Sequence, residues 1–206
     1  AGEAAYRKAE SSVEESPGVR SDYGRAASFY MNVTEMFPAS EYVETALFRL
    51  AECRERGEVF QDAAEVYSRF VAEFEKSELW EKANLGLVRS LNATGQLEKA
   101  MDSASRFARE RADHPFAAKA LMEGFRAARS SKDYPRANGF LSLILERNEA
   151  YGETGILPHA LYERTHLNFL YGKHEAAVAD ATAFLDQYGL LPLAADVRLW
   201  LGDHYC

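Results

Sequence analysis

Apolar side chains recur along this chain at three- and four-residue steps, and the strict alternation of a half-buried strand is absent. Such spacing lines one face of a helix, so the pattern predicts helices from end to end. A longer period lies over it. Tyr23 with Ala26, Phe60 with Ala63, Leu97 with Ala100, Tyr134 with Ala137 and His174 with Ala177 repeat at steps of 37, 37, 37 and 40 residues. A period in this range marks a unit that exposes its apolar face when alone and buries it by stacking on its neighbours. The expected fold is all-α: a right-handed solenoid of antiparallel helix pairs, about eleven helices in all. The unbroken period makes residues 1–206 a single elongated repeat domain.

Each aromatic or apolar residue of these pairs is an anchor that opens the second helix, B, of a repeat; the first helix, A, precedes it. In the first complete unit Ala46, Leu47, Leu50 and Ala51 mark helix A, Gly57 is expected to stop it, and Phe60, Ala63, Ala64, Tyr67, Phe70, Val71 and Phe74 mark helix B. Later A helices end at Thr94-Gly95, at Ser130-Ser131-Lys132-Asp133 and at Tyr171-Gly172. Pro38, Pro115, Pro158 and Pro192 fall where A helices begin, a position that needs no backbone N–H. The extra residues of the 40-residue step fall near Tyr151-Gly152-Glu153-Thr154-Gly155 and are expected to bulge outward. Before the first anchor, a short cap helix over Glu3 to Glu15 is separated from the rest by Ser16-Pro17-Gly18.

Tyr23, Ala26 and Tyr30, and again Phe60, Ala63 and Tyr67, resemble the second half of a tetratricopeptide repeat. Leu201-Gly202-Asp203-His204-Tyr205 is similar to the first half. On that pattern the next anchor falls at 211, so the chain is expected to be a piece of a longer array, with Leu199, Trp200 and Tyr205 lacking their cover. The segment Tyr23 to Val43, with Tyr30 and Met36-Phe37-Pro38-Ala39-Ser40, followed by Ala46-Leu47 and Leu50-Ala51-Glu52-Cys53, is similar to the long tetratricopeptide-like units of bacterial envelope proteins, namely the repeat lipoprotein of outer-membrane assembly and the periplasmic repeat protein of the Tol-Pal system, and residues 22–76 show the pattern best. The resemblance implies a protein-binding scaffold, periplasmic or in the cell envelope, with the cytoplasm as the alternative.

Composition narrows the function. A net charge of -8 disfavours binding to a phosphate backbone, so no nucleic acid is expected, and no apolar run is long enough for a membrane span. Cys53 and Cys206 stand far apart and define neither a zinc framework nor a disulfide scaffold. No nucleophile elbow, phosphate-cradling loop or acid–base pair is present, so no enzyme, cofactor or catalytic residue is expected. The A helices line the concave side of such arrays. Positions fifteen, twelve, eight and five before each anchor share one helical face. They read Thr45, Phe48, Glu52 and Glu55, then Lys82, Leu85, Arg89 and Asn92, then Lys119, Met122, Arg126 and Arg129, then His159, Tyr162, His166 and Phe169. The basic middle of this stripe, with its apolar neighbours, is the candidate site for a protein or peptide partner of acidic character, because guanidinium groups pair with carboxylates in a bidentate fork. The competing reading is a solvated face tied by ion pairs to neighbouring units, as in a structural spacer or oligomerisation module. His159, Glu163 and His166 share a face, but the two histidines lie about 10 Å apart along the helix, so no metal site is expected.

Overall fold

The computed structural model describes residues 20–205, apart from the side chains of 20–22 and 204–205. The expected cap helix, the Ser16-Pro17-Gly18 break and Cys206 lie outside the described residues. Within them are eleven α-helices and no strand: α1 (Arg20–Met36), α2 (Val43–Arg56), α3 (Phe60–Glu73), α4 (Trp80–Ala93), α5 (Leu97–Glu110), α6 (Pro115–Ser130), α7 (Tyr134–Leu145), α8 (Asn148–Tyr151), α9 (Leu157–Leu170), α10 (His174–Tyr188) and α11 (Ala194–Tyr205). The chain divides into two compact units, up to Phe107 and from Ala108 onward. In the first, α1 packs on α2, α2 on α3 and α3 on α4; in the second, α6 packs on α7, α9 on α7 and α10, and α10 on α11.

The 37-residue period is visible in the backbone itself. Phe60, Leu97, Tyr134 and His174 are the first residues of α3, α5, α7 and α10. Each turn from helix A to helix B closes in the same way, with an N–H just before the anchor donating five residues back: Val59 to Arg54, Gln96 to Leu91, Asp133 to Ala128 and Lys173 to Asn168, at 2.8, 2.9, 2.8 and 2.9 Å. This 6→1 bond needs a left-handed residue between helix and anchor. Glu58, Gly95, Lys132 and Gly172 supply it, with φ of 60, 74, 60 and 66°. Gly57, expected to stop α2 by its conformational freedom, has φ -77°, and the left-handed position belongs to Glu58.

Turns from helix B to helix A repeat as well. A side chain ahead of the incoming helix accepts a backbone N–H two residues on: Ser40 from Tyr42, Ser77 from Leu79, His114 from Phe116 and Thr154 from Ile156; of these His114 is itself the N-cap. Pro115 and Pro158 sit inside the first turn of α6 and α9, where the lost N–H has no helical partner.

The anchor alanines Ala26, Ala63, Ala100, Ala137 and Ala177 are fully buried, which lets the paired helices approach closely. The anchors themselves are only half-buried, and His174 is exposed. The large buried side chain falls ten residues beyond each anchor, at Val33, Phe70, Phe107, Ile144 and Phe184. Burying each of the aromatic ones contributes about 1.5–3 kcal/mol. In the first unit Phe48 meets Tyr67 and Phe70 edge-on, and Trp80 meets Phe107 edge-on at 5.6 Å. The inserted segment of the 40-residue step is helical. Gly152, Glu153 and Gly155 face solvent as expected of a bulge, but Tyr151 turns inward, fully buried, and donates its hydroxyl to the Ala112 carbonyl.

Candidate functional site

Helix periodicity fixes what the A helices show to solvent. In α4, Ala83, Leu87, Val88 and Leu91 face the core, which leaves Lys82 and Arg89 exposed and Asn92 half-buried near the helix end. In α2, Ala46, Leu47, Leu50 and Ala51 are buried, and Arg49 and Arg56 are exposed. Phe48 and Leu85, also on the stripe, turn out to be buried, so the first unit's face is polar.

Its charges are ordered by carboxylates. Glu52 lies 2.6 Å from Arg49 Nη1 and 3.8 Å from Arg56 Nη2. Glu55 Oε1 accepts from Arg89 Nε at 2.8 Å, and its other oxygen accepts from the Tyr67 hydroxyl at 2.8 Å. Burial, followed by the charge of Glu55, drives the Tyr67 phenol far above its ordinary pKa. Tyr67 reaches Glu55 because its ring lies on Gly86 of α4, where a Cβ would collide with it.

In the second unit Lys119, Arg126 and Arg129 project from α6, with Met122 half-buried between them. Lys119 Nζ sits 5.2 Å from the Phe116 ring centre, Arg126 Nη1 lies 2.5 Å from Glu123, and Arg129 Nη1 lies 3.0 Å from Glu163 of α9 while its guanidinium covers Phe125 at 5.1 Å. On α9 the stripe becomes aromatic. Tyr162, His166 and Phe169 gather on Trp200 of α11 at ring distances of 5.0, 4.9 and 6.3 Å, with His166 stacked at 11° to the indole. The Tyr162 hydroxyl donates to Asp196 at 3.0 Å, and burial together with that carboxylate raises its pKa.

Of the ten candidate residues, Lys82, Arg89 and Asn92 belong to the first unit and Lys119, Met122, Arg126, Arg129, Tyr162, His166 and Phe169 to the second. The period placed Glu55 on the stripe but did not bring Trp200 or Tyr67 to this face. Trp200 falls eleven residues before the extrapolated anchor at 211, the position of Gly86, Glu123 and Glu163 in the other repeats, so extending the frame would have placed it beside the stripe. Trp200 is half-buried against α9, while Leu199 remains exposed. Of the His159, Glu163 and His166 set, Glu163 is taken by Arg129 and His166 by Trp200. Among the described residues no three His, Cys, Asp or Glu could hold a metal ion, and no helix is long and apolar enough to cross a membrane.

The described clefts lie away from this face. One, lined by Glu44, Phe74 and Ser77, sits at the α3–α4 turn, and another, lined by Tyr188, Leu190 and Arg198, at the α10–α11 turn.

Residues 45–77 match the family model of the tetratricopeptide repeat. No curated protein matches the chain. Solved structures do: a tetratricopeptide repeat protein from Parabacteroides merdae is 18% identical, over 98% of this chain and 73% of that one, with a TM-score of 0.68. YrrB, described as a tetratricopeptide protein with an unusual peptide-binding site, is 14% identical over 92% of this chain and 97% of its own, with a TM-score of 0.61. A Rap protein complexed with competence and sporulation factor is 16% identical over 96% of this chain and 55% of its own, with a TM-score of 0.51. At these identities the likeness is one of fold. Together with the repeated turn geometry, it shows an all-α helical-repeat fold similar to that of these tetratricopeptide structures.

Proposed function

We propose that the chain is a protein-interaction scaffold whose A-helix faces bind an acidic peptide or an acidic segment of a partner protein. The carrying observation is that Lys82 and Arg89 on α4 and Lys119, Arg126 and Arg129 on α6 stand exposed in a chain of net charge -8. Apolar contact would come from Met122, Tyr162 and Phe169. Neighbours of the same fold described with a bound factor or a peptide-binding site support the reading, and residues 1–206 act in it as one repeat domain. The resemblance of residues 22–76 to envelope repeat proteins supports an envelope setting.

Isothermal titration of an acidic and a basic peptide, each at two salt concentrations, tests it. The acidic peptide is expected to bind and to weaken with salt, and Arg126→Glu is expected to cost about tenfold in affinity while Glu65→Lys on the B helix costs little. Binding abolished by Glu65→Lys and untouched by Arg126→Glu would move the function to the B helices. A structural spacer is the second reading. It is favoured by the pairing of Arg89, Arg126 and Arg129 with carboxylates of their own units. A chain that binds neither peptide at low salt would support it.

A further inference from the structure

Three arginines of the basic stripe are paired, but not through the same edge. Arg126 and Arg129 spend an Nη1 group on Glu123 and Glu163. Arg89 is held through Nε alone. Its two terminal amino groups, the end of the fork that grips a carboxylate in parallel, are not used in that pair, and the side chain is 47% exposed. The partner that holds it is itself held. Glu55 is only 17% exposed, and its second oxygen receives the hydroxyl of Tyr67, a residue of helix B that is 1% exposed and reaches the face only because position 86 carries no side chain.

We propose that Tyr67 and Glu55 are positioning residues that hold the Arg89 guanidinium with its end edge presented to a carboxylate of an acidic peptide. The inference rests on the function proposed above and assigns Arg89 as that ligand's contact in the first unit. A long exposed side chain loses rotamer freedom when it grips a ligand, and the Tyr67–Glu55 relay fixes Arg89 before the ligand arrives. Glu55 neutralises part of the charge, but Lys82 on the same helix face keeps the surface attractive to an anion.

The test is a fluorescence-anisotropy titration of a labelled oligo-glutamate peptide against the whole chain and its Tyr67→Phe, Arg89→Gln and doubly substituted forms, at low salt. Tyr67→Phe keeps the ring on Gly86 and removes only the hydroxyl. It is expected to weaken binding about three- to tenfold in the parent and to change nothing once Arg89 is Gln, a coupling that a general loss of stability would not produce. Equal weakening in both backgrounds overturns the relay, as does a Tyr67→Phe variant that binds like the parent while Arg89→Gln does not; in both cases the proposed function stands. If Arg89→Gln has no effect, or the parent does not bind, the relay falls with the ligand assignment. A second measurement needs no variant. The Arg89 Nε–H resonance is expected to be protected from exchange with water in the free protein and to shift but stay protected as peptide is added. Its loss would mean that the peptide pulls Arg89 off Glu55, which overturns the proposal.

Discussion

Two repeats solve the same packing problem with opposite chemistry. In the repeat anchored at Phe60, Leu50 and Val66 lie ten residues before and six after the anchor, and both join the apolar core of the first unit. In the repeat anchored at His174 the same positions carry Arg164 and Asp180. Arg164 Nε and Nη2 donate to the two Asp180 oxygens at 2.9 and 2.6 Å, Asn168 Nδ2 donates to Asp180 at 2.9 Å, and Asn138 Nδ2 extends the chain to Asn168 at 3.1 Å. Apolar burial is non-directional and tolerates exchange of shape. A buried network of this kind holds only when every member is present, because a lost partner leaves a charge or dipole without water. The same backbone frame can thus be held loosely or in one fixed register.

The sharpest way to break the contrast is Asp180→Ala. Stranding Arg164 is expected to cost about 3 kcal/mol by urea denaturation, whereas converting Arg164 and Asp180 together to Leu and Val, the first unit's residues, is expected to restore most of it. A double variant as unstable as the single one would show that the network has no apolar equivalent.

The first unit has its own point of intolerance. Gly86→Ala drives a methyl group into the Tyr67 ring, and a loss of about 2 kcal/mol is expected, recovered in large part by a smaller side chain at 67. Additive effects of the two changes would contradict the packing described.

Alkaline titration sharpens the contrast further. The folded pKa of Tyr67 lies above its unfolded value near 10, so the folded state holds this proton more tightly. Its contribution is complete below about pH 10 and is lost as pH rises beyond that, at about 1.4 kcal/mol per pH unit. Tyr67→Phe is expected to flatten the fall in stability above pH 10. An unchanged slope would assign it to other tyrosines.

The smallest effects fall at the turns. Glu58→Gly in the first unit and Lys132→Gly in the second each place glycine where Gly95 and Gly172 already stand, and each is expected to raise stability by about 0.5–1 kcal/mol in thermal unfolding. Destabilisation at either site would mean that the replaced side chain contributes more than its backbone strain costs.

What the sequence showed of all this follows from what periodicity can carry. Anchors, alanines, helix pairs and turns repeat, so Phe60, Leu97 and Tyr134 mark helix starts to the residue. The left-handed position was harder to read, because Glu58 and Lys132 occupy it without the composition that announces it. Residue types named the stripe but not its pairing: Arg89 meets a residue 34 positions away, and Tyr67 reaches the face from the opposite helix through a gap made by Gly86. Trp200 gathers its partners from 31 to 38 residues upstream, a distance that only a folded chain closes.

The central claim is that the A helices carry the binding surface, and amide chemical-shift mapping during titration with an acidic peptide tests it most directly. Shifts are predicted on α2, α4, α6 and α9, strongest near Arg89, Arg126 and Arg129 and diminishing with added salt. Shifts confined to α3, α5, α7 and α10 would contradict it.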